Sequence, residues 1–131
     1  MKKKKIVKKN LAFLKQEGFK LQHKKYAKHL NLYLFYKANN PAIKIIITEN
    51  IFDKFVDLKI RGSNHQILFF YEWNQLMTNS QFECVNELIN EANLVYKDLK
   101  DREYTKIDFQ KIINIYAKLI RKNLKLILNN N

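Results

Sequence analysis

The spacing of apolar residues changes period twice along this chain, and that change limits the folds open to it. At the start Val7, Leu11 and Leu14 recur at helical intervals, with Ile6 and Phe13 widening the stripe. Lys4, Lys8 and Lys15 lie off that stripe, which predicts an amphipathic helix over 4–17. Gly18 then stands where a left-handed residue would close the helix, with Phe19 behind it as a hydrophobic cap contact. From 19 to 71 the period falls to two. Short strands are expected at 19–24, 31–37, 42–48, 55–61 and 67–71, the third β-branched and apolar on both faces. Asn39-Asn40-Pro41 and Gly62-Ser63-Asn64 read as turns. Connections this short cannot carry a parallel crossover, which needs about a dozen residues, so neighbouring strands must run antiparallel.

Helical spacing returns after Thr78. Ser80-Gln81-Phe82-Glu83 matches a capping box, ahead of an apolar face of Val85, Leu88, Ile89, Ala92 and Val95. Thr105 with Asp108 marks a second box. Behind it Phe109, Ile112, Ile113, Tyr116, Leu119, Ile120 and Leu124 are expected inward, and Lys111, Lys118, Lys122 and Lys125 outward. The expected class is therefore α+β. An N-terminal helix leads into an antiparallel β-meander of about four to five strands, and two C-terminal helices pack on the sheet. The 131 residues suit one domain over 1–131, with 1–5 a flexible Lys-rich start.

Charge is unevenly spread. Of a formal net +13, residues 1–30 hold eleven Lys against one Glu, and 108–131 hold five basic residues against one acid. The body between them is nearly neutral. Within it, residues 67–105 carry seven acids and three bases. Glu83, Glu87 and Glu91 stand four apart, joined by Glu72, Asp98, Asp101 and Glu103, so an acidic face is one candidate partner surface. Docking of that face on the chain's own Lys-rich helices is the alternative use. The opposite candidate is a basic face of Lys4, Lys8, Lys15, Lys118, Lys122 and Lys125. Lys outnumbers Arg 22 to 3, although phosphate and base clamps favour Arg forks, so codon bias accounts for the lysines as well as nucleic-acid binding does.

Motifs for catalysis are missing. With only Gly18 and Gly62, no glycine-rich phosphate loop can be written, and a single cysteine, Cys84, allows neither an internal disulfide nor a thiolate metal site. Cys84 is expected inside the Ser80-capped helix as core filler. His23 and His29 fit neither helical nor strand metal spacing, and His65 falls in a turn. The aromatics Tyr33, Phe35, Tyr36, Phe69, Phe70, Tyr71 and Trp73 lack the Arg, Lys and Gly interleaving of base-stacking surfaces, so core packing or partner anchoring is expected. The Lys-rich start is followed by apolar runs too broken for a signal peptide, and none is long enough to cross a bilayer. A cytoplasmic protein without catalytic residues, cofactor or metal is expected.

The layout as a whole, with the opening helix ending Phe13-Leu14 and Gly18-Phe19, the Asn39-Asn40-Pro41 meander, and the closing helix 115–123, resembles the small bacterial immunity proteins of polymorphic-toxin and contact-dependent growth-inhibition systems. The resemblance implies a non-catalytic protein that binds and neutralises a cognate protein toxin. Partners of nuclease toxins tend to be acidic, and the +13 charge departs from that pattern. Either the acidic face does the blocking, or an acidic toxin meets the Lys-rich ends. The alternative function is a basic nucleic-acid-binding protein using the terminal helices.

Overall fold

The structure, a computed structural model, describes residues 1–63 and 82–128 in full and the strands at 67–71 and 75–78 by their backbone pairing. Two short helices open the chain, α1 (Lys3–Asn10) and α2 (Ala12–Gln16). Six strands follow: β1 (Phe19–Ala27), β2 (Leu30–Lys37), β3 (Asn40–Asn50), β4 (Phe55–Arg61), β5 (Ile67–Tyr71) and β6 (Gln75–Thr78). They form one antiparallel sheet in chain order, a meander. Helices α3 (Val85–Leu99), α4 (Lys106–Lys122) and α5 (Leu124–Leu128) complete the α+β fold. No helix of the described residues is long and apolar enough to cross a membrane.

The opening helix differs from the single helix expected over 4–17. It already includes Lys3, and it breaks at Leu11, whose φ of −112° and ψ of 24° are not helical. Asn10 explains the break locally: its side-chain amide donates to the Ile6 carbonyl at 2.8 Å, which ends α1 by a side-chain bond. Val7, Leu11 and Leu14 nevertheless all face inward. Gly18 closes α2 at φ +90°, in the left-handed region that its lack of a Cβ makes available.

The strands alternate as their period demands. Tyr33, Phe35, Ile45, Ile47, Val56, Leu58 and Ile60 point to the helices and are buried. β1 runs three residues past the expected 19–24, because its ladder with β2 continues through Lys25↔Asn31 to Ala27↔Leu30 although its side chains there are solvated. Between β2 and β3 the tight turn is Ala38-Asn39, with Asn40 already paired to Lys37 and Pro41 in the strand. The meander also continues to a sixth strand, Gln75–Thr78, too short to show a period of its own.

The entry to α3 corrects the sequence reading. Ser80 lies outside the described residues, and the helix starts only at Val85, with Cys84 left-handed at φ 60° before it. Asn123, 3% exposed, accounts for this late start. Its side chain accepts from the Glu83 backbone N–H at 2.6 Å and donates to the Glu83 carbonyl at 3.1 Å, holding that segment in a non-helical path. The same residue ends α4, so the expected last helix is split and Leu124 begins α5. The Thr105 box forms as expected, the Asp108 carboxylate accepting from the Thr105 N–H at 2.8 Å and its hydroxyl at 2.9 Å.

Two tyrosines fasten the helical layer to the sheet. Tyr96 of α3 and Tyr116 of α4 both donate to the Val56 carbonyl on β4, and the Val56 N–H donates back to the Tyr96 hydroxyl at 3.2 Å. Burial holds both phenols well above their ordinary range, so they remain neutral donors.

Candidate functional site

The helices described here cover one face of the sheet and, among the described residues, leave the other bare. The register sets that bare face out in rows across β1–β4: Lys20–Tyr36–Lys44–Arg61, Gln22–Leu34–Ile46–Lys59, and Lys24–Leu32–Thr48–Asp57. Leu32, Leu34, Tyr36 and Ile46 are half-buried at its centre, while Lys20, Lys24 and Lys44 are exposed around them. An apolar centre with a charged margin is the anatomy of a protein-binding surface. Asp57 at one corner is unusual. Its Oδ1 is buried without a hydrogen-bond partner, and burial pushes its carboxyl up to about 6 against the opposing pull of the Leu58 backbone and Lys59.

A groove of about 450 Å³ opens between the first two helices and β1. Leu11, Phe19, Leu21 and Phe35 form its apolar floor, and Lys8, Lys15 and Lys20 stand at its rim. Lys8 and Lys15 belong to the basic set singled out from sequence, and the fold brings them together with Lys20, which that reading left out. Lys4 is exposed on α1.

The acidic set is engaged within the chain only in part. Glu91 lies 3.7 Å from Lys118 of α4, and Glu83 lines a cleft with Lys122 and Lys125. Asp98 pairs with Arg102 at 2.7 Å. Asp101 and Glu103 are exposed in the α3–α4 connection, Glu87 is exposed in the first turn of α3, and Glu72 lies outside the described residues. The acidic helix therefore lies against the basic one, and Lys118, Lys122 and Lys125 sit beside acids rather than in an uninterrupted basic field.

Sequence reasoning missed one polar cluster altogether. Glu49 is fully buried on the helix side of β3. Its Oε2 takes the Lys3 ammonium at 2.8 Å and the Tyr104 hydroxyl at 2.5 Å, and its Oε1 takes the Asn31 amide at 3.0 Å. Asn31 in turn meets His23 Nε2 at 3.3 Å, with the His23 ring stacked on Tyr33. A buried carboxylate satisfied on both oxygens by Lys3, Tyr104 and Asn31 ties α1, β2, β3 and the α3–α4 connection together. Burial, with the Glu49 charge behind it, keeps Tyr33 and Tyr104 protonated well above the usual phenol range. Its only sequence signal is Glu49 continuing the inward alternation of Ile43, Ile45 and Ile47.

Cys84 is half-buried at the mouth of α3, not inside it. A hydrogen bond with Glu87, then burial and the Glu87 charge, pushes its thiol up, the reverse of what a nucleophile needs. Among the described residues no three His, Cys, Asp or Glu side chains converge as metal ligands. His65, Phe69, Phe70, Tyr71 and Trp73 carry no described side chain.

Compared with protein-family models, curated proteins and solved structures, the chain matches none. Function has to be argued from these surfaces.

Proposed function

We propose that this chain is a non-catalytic protein-binding module of the immunity kind, which neutralises a cognate protein toxin by covering an acidic part of it with the bare face of the sheet. The observation that carries this reading is the contiguous apolar patch of Leu32, Leu34, Tyr36 and Ile46, half-buried on the sheet face away from the helices and framed by Lys20, Lys24 and Lys44. Hydrophobic rows that no described residue covers gain by burial against a partner, and the lysines select partners of negative sign. Within the acidic set suggested by sequence, Glu91 lies by Lys118 and Asp98 pairs with Arg102. The lysines that frame the patch favour an acidic partner.

The test is co-expression with the product of the neighbouring toxin-like gene. A 1:1 complex and protection of the host cell are expected, both lost or weakened at least about tenfold by Leu34→Glu, which places an unpaired charge at the centre of the patch. No complex and no protection would refute the immunity reading. A complex indifferent to Leu34→Glu would refute this choice of surface. Tight binding of single-stranded or duplex nucleic acid with a steep salt dependence would instead support the nucleic-acid alternative, through Lys4, Lys8 and Lys15.

A further inference from the structure

β1 is an edge strand. It pairs with β2 on one side only, and its nine residues leave a second row of backbone N–H and C=O groups facing outward. Such an edge is a template for another strand, and proteins commonly guard it with lysine. Lys20, Lys24 and Lys25 lie on β1, and Lys28 follows directly. A second copy added edge to edge would bring these lysines against their own kind, so the charge opposes self-pairing. The same charge attracts a strand of opposite sign.

Two further features lie along this edge. The groove between the opening helices and β1 offers an apolar floor beside the first half of the strand, with Lys8, Lys15 and Lys20 at its rim and no carboxylate in its lining. At the other end Tyr26 is 61% exposed, an aromatic ring without cover on a solvated strand. An extended peptide places alternate side chains on opposite sides about every 6.6 Å. One set would reach the groove floor while acidic neighbours meet the amines.

We infer that the outer edge of β1, together with the groove beside it, receives an extended acidic segment of a partner protein by strand addition. Backbone bonds along the edge supply the attachment, the groove takes an apolar side chain, and Lys8, Lys15 and Lys20 select for carboxylates. This surface shares Lys20 with the margin of the bare face but not its central patch, and it does not depend on the partner being a toxin.

The test uses a fluorescent peptide of alternating Glu and Val, roughly ten residues long so as to span the strand, with a Lys-Val peptide as its control. Saturable binding of the acidic peptide alone is expected at low salt, weakened about tenfold or more by Lys8→Glu with Lys20→Glu. Circular dichroism checks that this variant stays folded. N-methylation of alternate peptide residues provides a readout that needs no protein variant: one phase should abolish binding and the other leave it intact, because only one set of N–H groups faces the edge. Leu94→Glu, which adds the same charge at an exposed site on α3, should leave peptide binding unchanged, and because no toxin is present, failure here is distinct from failure of the toxin reading. Absence of saturable binding, equal binding of the basic peptide, or indifference to both methylation phases would overturn the inference. So would a uridine oligonucleotide that binds more tightly than the peptide and displaces it.

Discussion

Arg102 and Asp108 show how much one side chain can organise. The guanidinium donates to both oxygens of Asp108, at 2.8 and 2.6 Å, and also to Asp98 and to the Glu103 carbonyl. Asp108 is buried, and Arg102 together with the Thr105 donors holds its carboxyl well below the usual range. A depressed folded value means that stability is present above the unfolded carboxylate range near 4 and is lost only as pH falls beneath it. Arg102→Gln should destabilise at pH 7, and the deficit should shrink as pH drops below about 4. Urea denaturation at several pH values measures both effects. Asp57 has the opposite sign. Its value of about 6 lies above the unfolded one, so folding stability falls as pH rises from about 4 to 6. Asp57→Asn should stabilise by about 1 kcal/mol above pH 6, the solvent-facing part of the residue reducing the full effect, and the gain should vanish below about pH 4. Glu49→Gln should cost about 2 kcal/mol, because Lys3 keeps its charge in a partly enclosed site after losing its partner.

Caps and breaks decide the elements. Gly18 stands at φ +90°, and a Cβ there would meet only the Lys37 side chain at 3.7 Å, so space is available and backbone conformation is the sole obstacle. Gly18→Ala should therefore cost about 1 kcal/mol, read as a lower midpoint in thermal unfolding with no change in the fold. The Gly18 stop and the Thr105–Asp108 box were legible in sequence because each uses residues adjacent in the chain. The Ser80 box failed as a guide to the start of α3, since Asn123, forty residues away, holds the Glu83 backbone. Lys54 is a similar case. Left-handed at φ 53°, it sends its ammonium from the β3–β4 turn to the carbonyls of Leu99 and Arg102 at the end of α3. Local pattern carries no record of such partners.

At the scale of the molecule, the +13 charge is concentrated near the first helices and the β1 edge and opposes compaction there. Raising sodium chloride from about 0.05 to 0.5 M should screen that repulsion and raise the melting temperature, while weakening attachment of any acidic partner. A melting temperature that falls with salt would show that the lysines are relieved by internal pairing instead. The bare face of the sheet belongs to this scale too. Period-two alternation showed Leu32, Leu34 and Tyr36 pointing away from Tyr33 and Phe35, but not which set the helices would cover.

By itself the sequence determined the order and kind of the elements, the antiparallel run of the strands, and the two basic ends around a neutral body. Those follow from periodicity, short connections and composition, all of which act between near neighbours. Only the tertiary structure decided that Glu91 of α3 lies beside Lys118, that Glu49 is buried among Lys3, Asn31 and Tyr104, and that β1 is left as an open edge beside a lysine-rimmed groove. These depend on which faces meet when the layers close, and contacts between residues tens of positions apart leave no period in the chain to read.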